Sequence, residues 1–185
     1  MYCNASNLLF KTRIIYDGFF YPPHQQDAYM SNFEAVSLFN EMIQNLPSNA
    51  QNPEWDKLQS QFILIQEELD EIRVAIQEQN VTELRDGIAD VLVTTYGLAY
   101  RAGQNADADM KVVHESNMTK FCKDPMEAVN TAAKYEKIGV QVQYRNQANG
   151  LIAVVSAQDQ TGTDGKEYPK GKLLKSVNYV EPQFI

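Results

Sequence analysis

The sequence predicts a mainly α fold, a four-helix bundle with a small β-hairpin inserted near its C-terminal end, and three observations carry that expectation. Apolar residues recur at alternating spacings of three and four across two long segments, which at about 100° per residue is helical periodicity. Clusters of Pro, Asn, Ser and Gly cut residues 31–122 into pieces of bundle length. A late stretch alternates with period two on either side of Asn149 and Gly150, a hairpin signal.

Taken in order, residues 1–30 form an N-terminal arm, with Phe19, Phe20 and Tyr21 ahead of Pro22 and Pro23 and a short strand expected at 13–16. A first helix should run over 32–46, with Asn32 as its N-cap and Phe33, Val36, Phe39, Ile43 and Leu46 as its buried side. Residues 47–53 have turn chemistry. The second helix starts near Trp55, read with Tyr96 as a core aromatic, and Phe62, Ile65, Leu69, Ile72 and Ile76 should form its core stripe. The third, over 81–101, is apolar nearly all round, and Gly103 caps its end. The fourth should occupy 108–121, giving a helical core over 31–122. Residues 123–170 read as an insertion: a short helix at 125–137, strands at 140–144 and 151–157, and a loop at 161–171. Residues 171–185 close the chain as an extended tail.

The second and third helices carry the chemistry. Glu67, Glu68 and Glu71 project beside the core stripe within one turn, Glu68 nearest its apolar edge. Two carboxylates 4 Å apart repel by about 4 kcal/mol at an effective dielectric near 20, so such a group must be solvated, protonated or neutralised by a cation. Between Gly87 and Tyr100, Asp90 is the only charge, and a carboxylate on a buried helix must be paired or bind a metal. Asp86 and Glu83 share its face; Asp70 and Glu83 read as surface acids. Oxygen ligands without Cys or His suit Mg²⁺, with Mn²⁺ as a substitute, rather than Zn²⁺.

The 185 residues are 44% hydrophobic and 22% charged, enough to bury a core. A net charge of -8 argues against a nucleic-acid surface and against anionic membranes. Cys3 and Cys122 make no disulfide framework, and no secretory start or run of 18 apolar residues occurs, so a cytoplasmic protein is expected.

The run EExxE at Glu67, Glu68 and Glu71, then DGIAD from Asp86 to Asp90 and VLVTTYGLA, resembles the all-α nucleoside triphosphate pyrophosphatases, the MazG-like superfamily, in a version seen in phage. VHESNMTK, ending at Lys120, and GKLLKSVNYVEP, from Gly171, look like further signatures. Many members carry ExxD where this chain has Gly87, so the upstream ligand falls to Asp86. The resemblance implies Mg²⁺ held by Glu67, Glu68, Glu71, Asp86 and Asp90, with Glu67 or Glu68 as the catalytic base. It implies phosphate contacts from Asn117 and Lys120, three apart on one helix face, with Lys172 and Lys175 of the tail folding over the triphosphate. The substrate would be a nucleoside or deoxynucleoside triphosphate, and the assembly a homodimer or homotetramer, in the host cytoplasm if phage-encoded. No GxxxxGK[ST] motif is present, so no P-loop is expected.

The rival expectation is a non-catalytic helical bundle that binds a metal or only assembles. Its di-iron version needs two Glu-x-x-His pairs, and His24 and His114 are preceded at that offset by Tyr21 and Lys111.

Overall fold

The structure, a computed structural model, describes residues 30–184; the N-terminal arm and its expected strand lie outside the described residues. Within them the chain is mainly helical with a small antiparallel hairpin, as the sequence predicts. Helix α1 (Asn32–Met42) is capped by Ser31 rather than Asn32: Ser31 Oγ accepts from the Glu34 amide at 3.1 Å and Glu34 Oε2 accepts from the Ser31 amide at 2.7 Å. It stops short of residue 46, because Gln44 turns left-handed at φ 62°. Its buried side is Phe33, Val36 and Asn40, and Phe39, Ile43 and Leu46, expected inside, are exposed.

Helices α2 (Trp55–Gln77) and α3 (Val81–Arg101) form the main pair, joined by a tight turn in which Gln79 is left-handed and Asn80 caps α3. The face α2 turns inward is Gln61, Ile65, Glu68, Ile72 and Ala75, rotated from the expected stripe by up to one residue. Phe62, Leu69 and Ile76 are therefore 44%, 49% and 59% exposed. Glycine explains the rotation. A Cβ on Gly87 would stand 2.9 Å from Ile72 Cγ1, and one on Gly97 would stand 3.1 Å from Gln61 Nε2, so α3 approaches α2 closely along a seam of small and polar groups. Gln61 completes that seam, donating to Thr94 O and accepting from Arg101 Nη1.

Ile88, Leu92 and Val93 on α3 are likewise exposed, as is Trp55 at 70%, against the expectation of a core aromatic. Tyr96 does pack, its ring 6.2 Å from Phe33. Gly103, at φ 73°, brings the chain end of α3 against the 48–50 turn, where a Cβ would meet Ser48 O at 2.4 Å. Helix α4 (Ala106–Met118) begins earlier than expected because Asn105 caps it, ends earlier at Met118 with Thr119 as its C-cap, and packs only lightly on α3. No helix among the described residues is long and apolar enough to cross a membrane.

The densest core lies beyond the helical segment. Helix α5 (Pro125–Glu136), capped by Asp124, covers the antiparallel pair β1 (Val142–Asn146) and β2 (Ile152–Ser156). Gly150, at φ 82°, makes the turn. Cys122, Ala128, Tyr135, Val140, Val154, Tyr168 and Leu174 fill the space between them. An isolated hairpin is marginal in water; this one is held by α5 and by the tail, whose Leu174 amide bonds Val154 O at 2.9 Å. The stretch read as a loop contains a second, two-residue ribbon, β3 (Gln160–Thr161) with β4 (Glu167–Tyr168). Tyr168 anchors it: its hydroxyl donates to Asp164 at 2.9 Å, and burial, then Asp164, push the phenol up to about 12.

Candidate active site

Because α2 presents Gln61, Ile65, Glu68, Ile72 and Ala75 to α3, Glu68 sits in the middle of the helix seam, a partly buried residue. Partial burial first, then the carboxylates of Glu71, Asp90, Glu67 and Asp86, push Glu68 above the ordinary glutamate range. Those neighbours are the other four acids singled out in the sequence. Asp90 is half-buried on the facing side of α3, one turn beyond Asp86; Glu67, Glu71 and Asp86 are exposed. Asp70 bonds Arg73 at 2.9 Å on the outer surface, as a surface acid should.

Among the described residues none of the five carboxylates takes part in a salt bridge. Nor are three or more His, Cys, Asp or Glu side chains gathered there into a ready-made cation cage. Carboxylates that repel one another splay apart. The donor chemistry nonetheless fits Mg²⁺: it is all oxygen, with three carboxylates on α2 and two on α3 across a close helix seam. It also holds a partly desolvated glutamate whose only charged influences are other carboxylates. At Gly87, where the resemblance expects an acid, a Cβ would stand 2.9 Å from Ile72 Cγ1 across the seam; Asp86, one position earlier, is exposed.

The grooves in the surface lie to either side of this point. One follows the α2–α3 turn, lined by Asp70, Glu71, Glu78, Asn80 and Glu83; the other runs between α1 and the end of α3, lined by Phe33, Glu41, Tyr100 and Asn105. Neither includes Glu68 or Asp90, which belong to the helix seam itself.

The expected phosphate contacts form a second group. Asn117 and Lys120 meet at the C-terminal end of α4, Lys120 Nζ donating to Asn117 Oδ1 at 2.6 Å. The tail reaches the same place: Ser116 Oγ donates to Val180 O at 2.8 Å, and the Val180 amide donates to Thr119 Oγ1 at 2.9 Å. Lys120 and Lys175 both lie against the Tyr179 ring, 5.9 Å and 4.1 Å from its centroid. So the structure brings Asn117, Lys120 and Lys175 together, and leaves Lys172 apart, donating to Glu167 O and lying over Tyr168. His114 is exposed. No hydrogen bond or ion pair among the described residues links this basic group to the five acids.

Three residues that the sequence did not single out organise the basic group. Tyr179 is its platform. Glu181 takes hydrogen bonds from Lys175 and Tyr179. Glu127, buried on α5, accepts from the Ser176 hydroxyl and from the Lys123 amide, and so fixes the tail just before Tyr179. The only local signal was Asp124-Pro125-x-Glu127, a helix start; nothing near it points to Ser176, 49 positions away.

Residues 34–117, under half of the chain, match the model of the phosphoribosyl-ATP pyrophosphohydrolase family, and over that segment the chain is similar to it. An uncharacterised protein of Acanthamoeba polyphaga mimivirus is similar over 120 residues at 29% identity. The aligned part is 60% of this chain and 42% of that relative, so the chain spans less than half of its length.

Proposed function

We propose that the protein is a Mg²⁺-dependent nucleoside triphosphate pyrophosphohydrolase, which splits the bond between the α- and β-phosphates to give a nucleoside monophosphate and pyrophosphate. The observation that carries this reading is Glu68, half-buried on the helix seam among Glu71, Asp90, Glu67 and Asp86 with no basic partner among the described residues. The family's name supplies the reaction class, pyrophosphate release from a nucleotide.

Glu67, Glu68, Glu71, Asp86 and Asp90 would hold Mg²⁺. When bound, it neutralises phosphate oxygens and lowers the pKa of water. The chain's own groups do the rest. Water attacks the α-phosphorus, the bond to the bridging oxygen breaks, and pyrophosphate leaves with that oxygen. The proton of the attacking water passes to a glutamate carboxylate, Glu67 or Glu68. Lys120 and Lys175 meet phosphate charge, with Asn117 as a neutral donor. The protein acts in the cytoplasm, as a homodimer or homotetramer that covers the outer apolar faces of α2 and α3.

The test is pyrophosphate release from a panel of canonical and modified ribo- and deoxyribonucleoside triphosphates and phosphoribosyl-ATP, with Mg²⁺ and in excess chelator. Release from at least one substrate that stops in chelator is the expected result. No release from any of them, or turnover that persists in chelator, would overturn the reading in favour of a non-catalytic bundle.

A further inference from the structure

Beside Asn117, Lys120 and Lys175, which the hydrolase reading assigns to phosphate, the tail places a carboxylate that the reading does not use. Glu181 is an exposed carboxylate whose two oxygens are each taken by a donor: Lys175 Nζ at 2.8 Å on Oε1 and Tyr179 Oη at 2.9 Å on Oε2. Lys120, bonded to Asn117, lies 5.9 Å from the centroid of the same Tyr179 ring. One ammonium group and a phenol thus hold an anion supplied by the chain itself, with a second ammonium group and Asn117 beside the phenol ring.

The backbone beneath this anion is fixed on both sides. Upstream, Glu127 holds Ser176, and Thr131 Oγ1 accepts from the Val177 amide at 3.1 Å. Downstream, the Val180 amide and carbonyl are bonded to Thr119 and Ser116. Lys175 and Tyr179 are therefore presented on anchored chain, whereas the backbone of Glu181 bonds only locally among the described residues, its carbonyl accepting from Gln183 Nε2 at 3.3 Å. An exposed ion pair of this kind contributes little to folding, so a better anion can replace its carboxylate at low cost.

We propose that Asn117, Lys120, Lys175 and Tyr179 form a polyphosphate subsite and that Glu181 occupies it as an internal stand-in for a phosphate, displaced when the ligand arrives. This rests on the hydrolase reading for the identity of the ligand, but the subsite stands on its own contacts. A carboxylate offers two oxygens and one negative charge, while a phosphate group offers three oxygens and more charge, so it can hold Lys175 and Tyr179 and also satisfy Lys120, which now bonds only Asn117. Glu181 thereby lowers affinity for anions too weak to displace it, which discriminates against monophosphate and favours release of product.

The experiment is calorimetric titration of the full chain with inorganic pyrophosphate and, separately, orthophosphate, for wild type, Glu181→Gln, Lys175→Met and the double variant. Glu181→Gln keeps the size of the side chain and removes its charge. Pyrophosphate should bind Glu181→Gln severalfold tighter than wild type and Lys175→Met severalfold weaker, and the gain from Glu181→Gln should disappear when Lys175 is already Met. Orthophosphate should gain proportionally more than pyrophosphate. If Glu181 only braced the tail, removing its charge would leave pyrophosphate affinity unchanged or weaken it, and either result would overturn the proposal, as would a gain independent of Lys175. Because the probe is not hydrolysed, tighter binding in a protein that cleaves no nucleotide would support the subsite while removing the hydrolase reading. Cleavage with unaltered pyrophosphate affinity in Glu181→Gln would do the reverse.

Discussion

Replacing Glu127 by Gln asks whether a buried carboxylate holds the tail in place. Glu127 is 7% exposed and accepts from the Ser176 hydroxyl on one oxygen and from the Lys123 amide, at 2.9 Å, on the other. Gln keeps the shape and one acceptor but turns an NH₂ towards one of two donors. One charge-assisted bond is lost and its buried donor left unpaired, which costs about 2 to 3 kcal/mol. Burial by itself raises the Glu127 carboxyl, but hydrogen bonds from Ser176, Lys123 and the Asn178 side chain outweigh it, so in the folded protein it lies below the ordinary value of 4.5. A carboxyl depressed on folding stabilises fully above its unfolded pKa and loses that contribution as pH falls through the folded value. The two proteins should therefore differ by about 2 to 3 kcal/mol in urea unfolding at neutral pH, and the gap should shrink as the pH is taken through the range below 4.5. The near-ultraviolet signal of Tyr135 and Tyr168, packed 5.9 Å apart in the same core, follows the transition. No gap at neutral pH, or one that stays constant down the acid limb, would refute the argument.

Asp90→Asn should lower pyrophosphate release at least about a hundredfold, since losing a charge that would hold Mg²⁺ removes several kcal/mol of transition-state stabilisation; helical circular dichroism should be unchanged, and turnover near wild type would remove Asp90 from the machinery. Gly87→Ala should lower the melting temperature despite the roughly 1 kcal/mol that helix propensity favours, because the new methyl lands 2.9 Å from Ile72 Cγ1 and overpacking costs about 1 to 3 kcal/mol; a higher melting temperature would mean the helix seam is looser than described. Light scattering at micromolar concentration should show at least a dimer, and Leu69→Lys, on the exposed stripe of α2, should weaken it. An active wild-type monomer would refute that expectation.

Much of this was legible because periodicity and punctuation are local. Asn80, Asn105, Asp124 and Gly150 do what their residue types favour, and the helices and hairpin follow from them. That Glu68 faces Asp90 across two helices was legible for the same reason, since a spacing of one, three or four on a helix is a statement about a face. What failed was the choice between adjacent faces. Phe62, Leu69 and Ile76 have the apolar character of a core stripe, yet Gly87 and Gly97 let α3 settle one residue away from it, against Gln61, Glu68 and Ala75. Hydropathy ranks the faces of one helix, whereas the approach of two helices depends on where the partner has no side chain. Tyr179, Glu181 and Glu127 were missed because their partners are tens of residues away or lie on a tail without periodicity.

The rotation of α2 ties the acids to the uncovered apolar surface. With Glu68 on the seam, the apolar stripe must face outward, and among the described residues the largest buried cluster is the one where α5, the hairpin and the tail enclose Cys122, Val154 and Leu174. A second copy laid over Phe62, Leu69, Ile88 and Leu92 would withdraw Glu68 and Asp90 further from water. Removing like charges from water raises their mutual repulsion, and a divalent cation is what offsets it. Each event therefore favours the other, and such coupling is reciprocal: assembly would tighten the hold on Mg²⁺ by as much as Mg²⁺ tightens assembly. A helix pair whose apolar stripe met a partner and whose half-buried Glu68 and Asp90 met a cation would gain by doing both at once, which is a physical reason for those two acids to stand at the seam and for Phe62 and Leu69 to face outward.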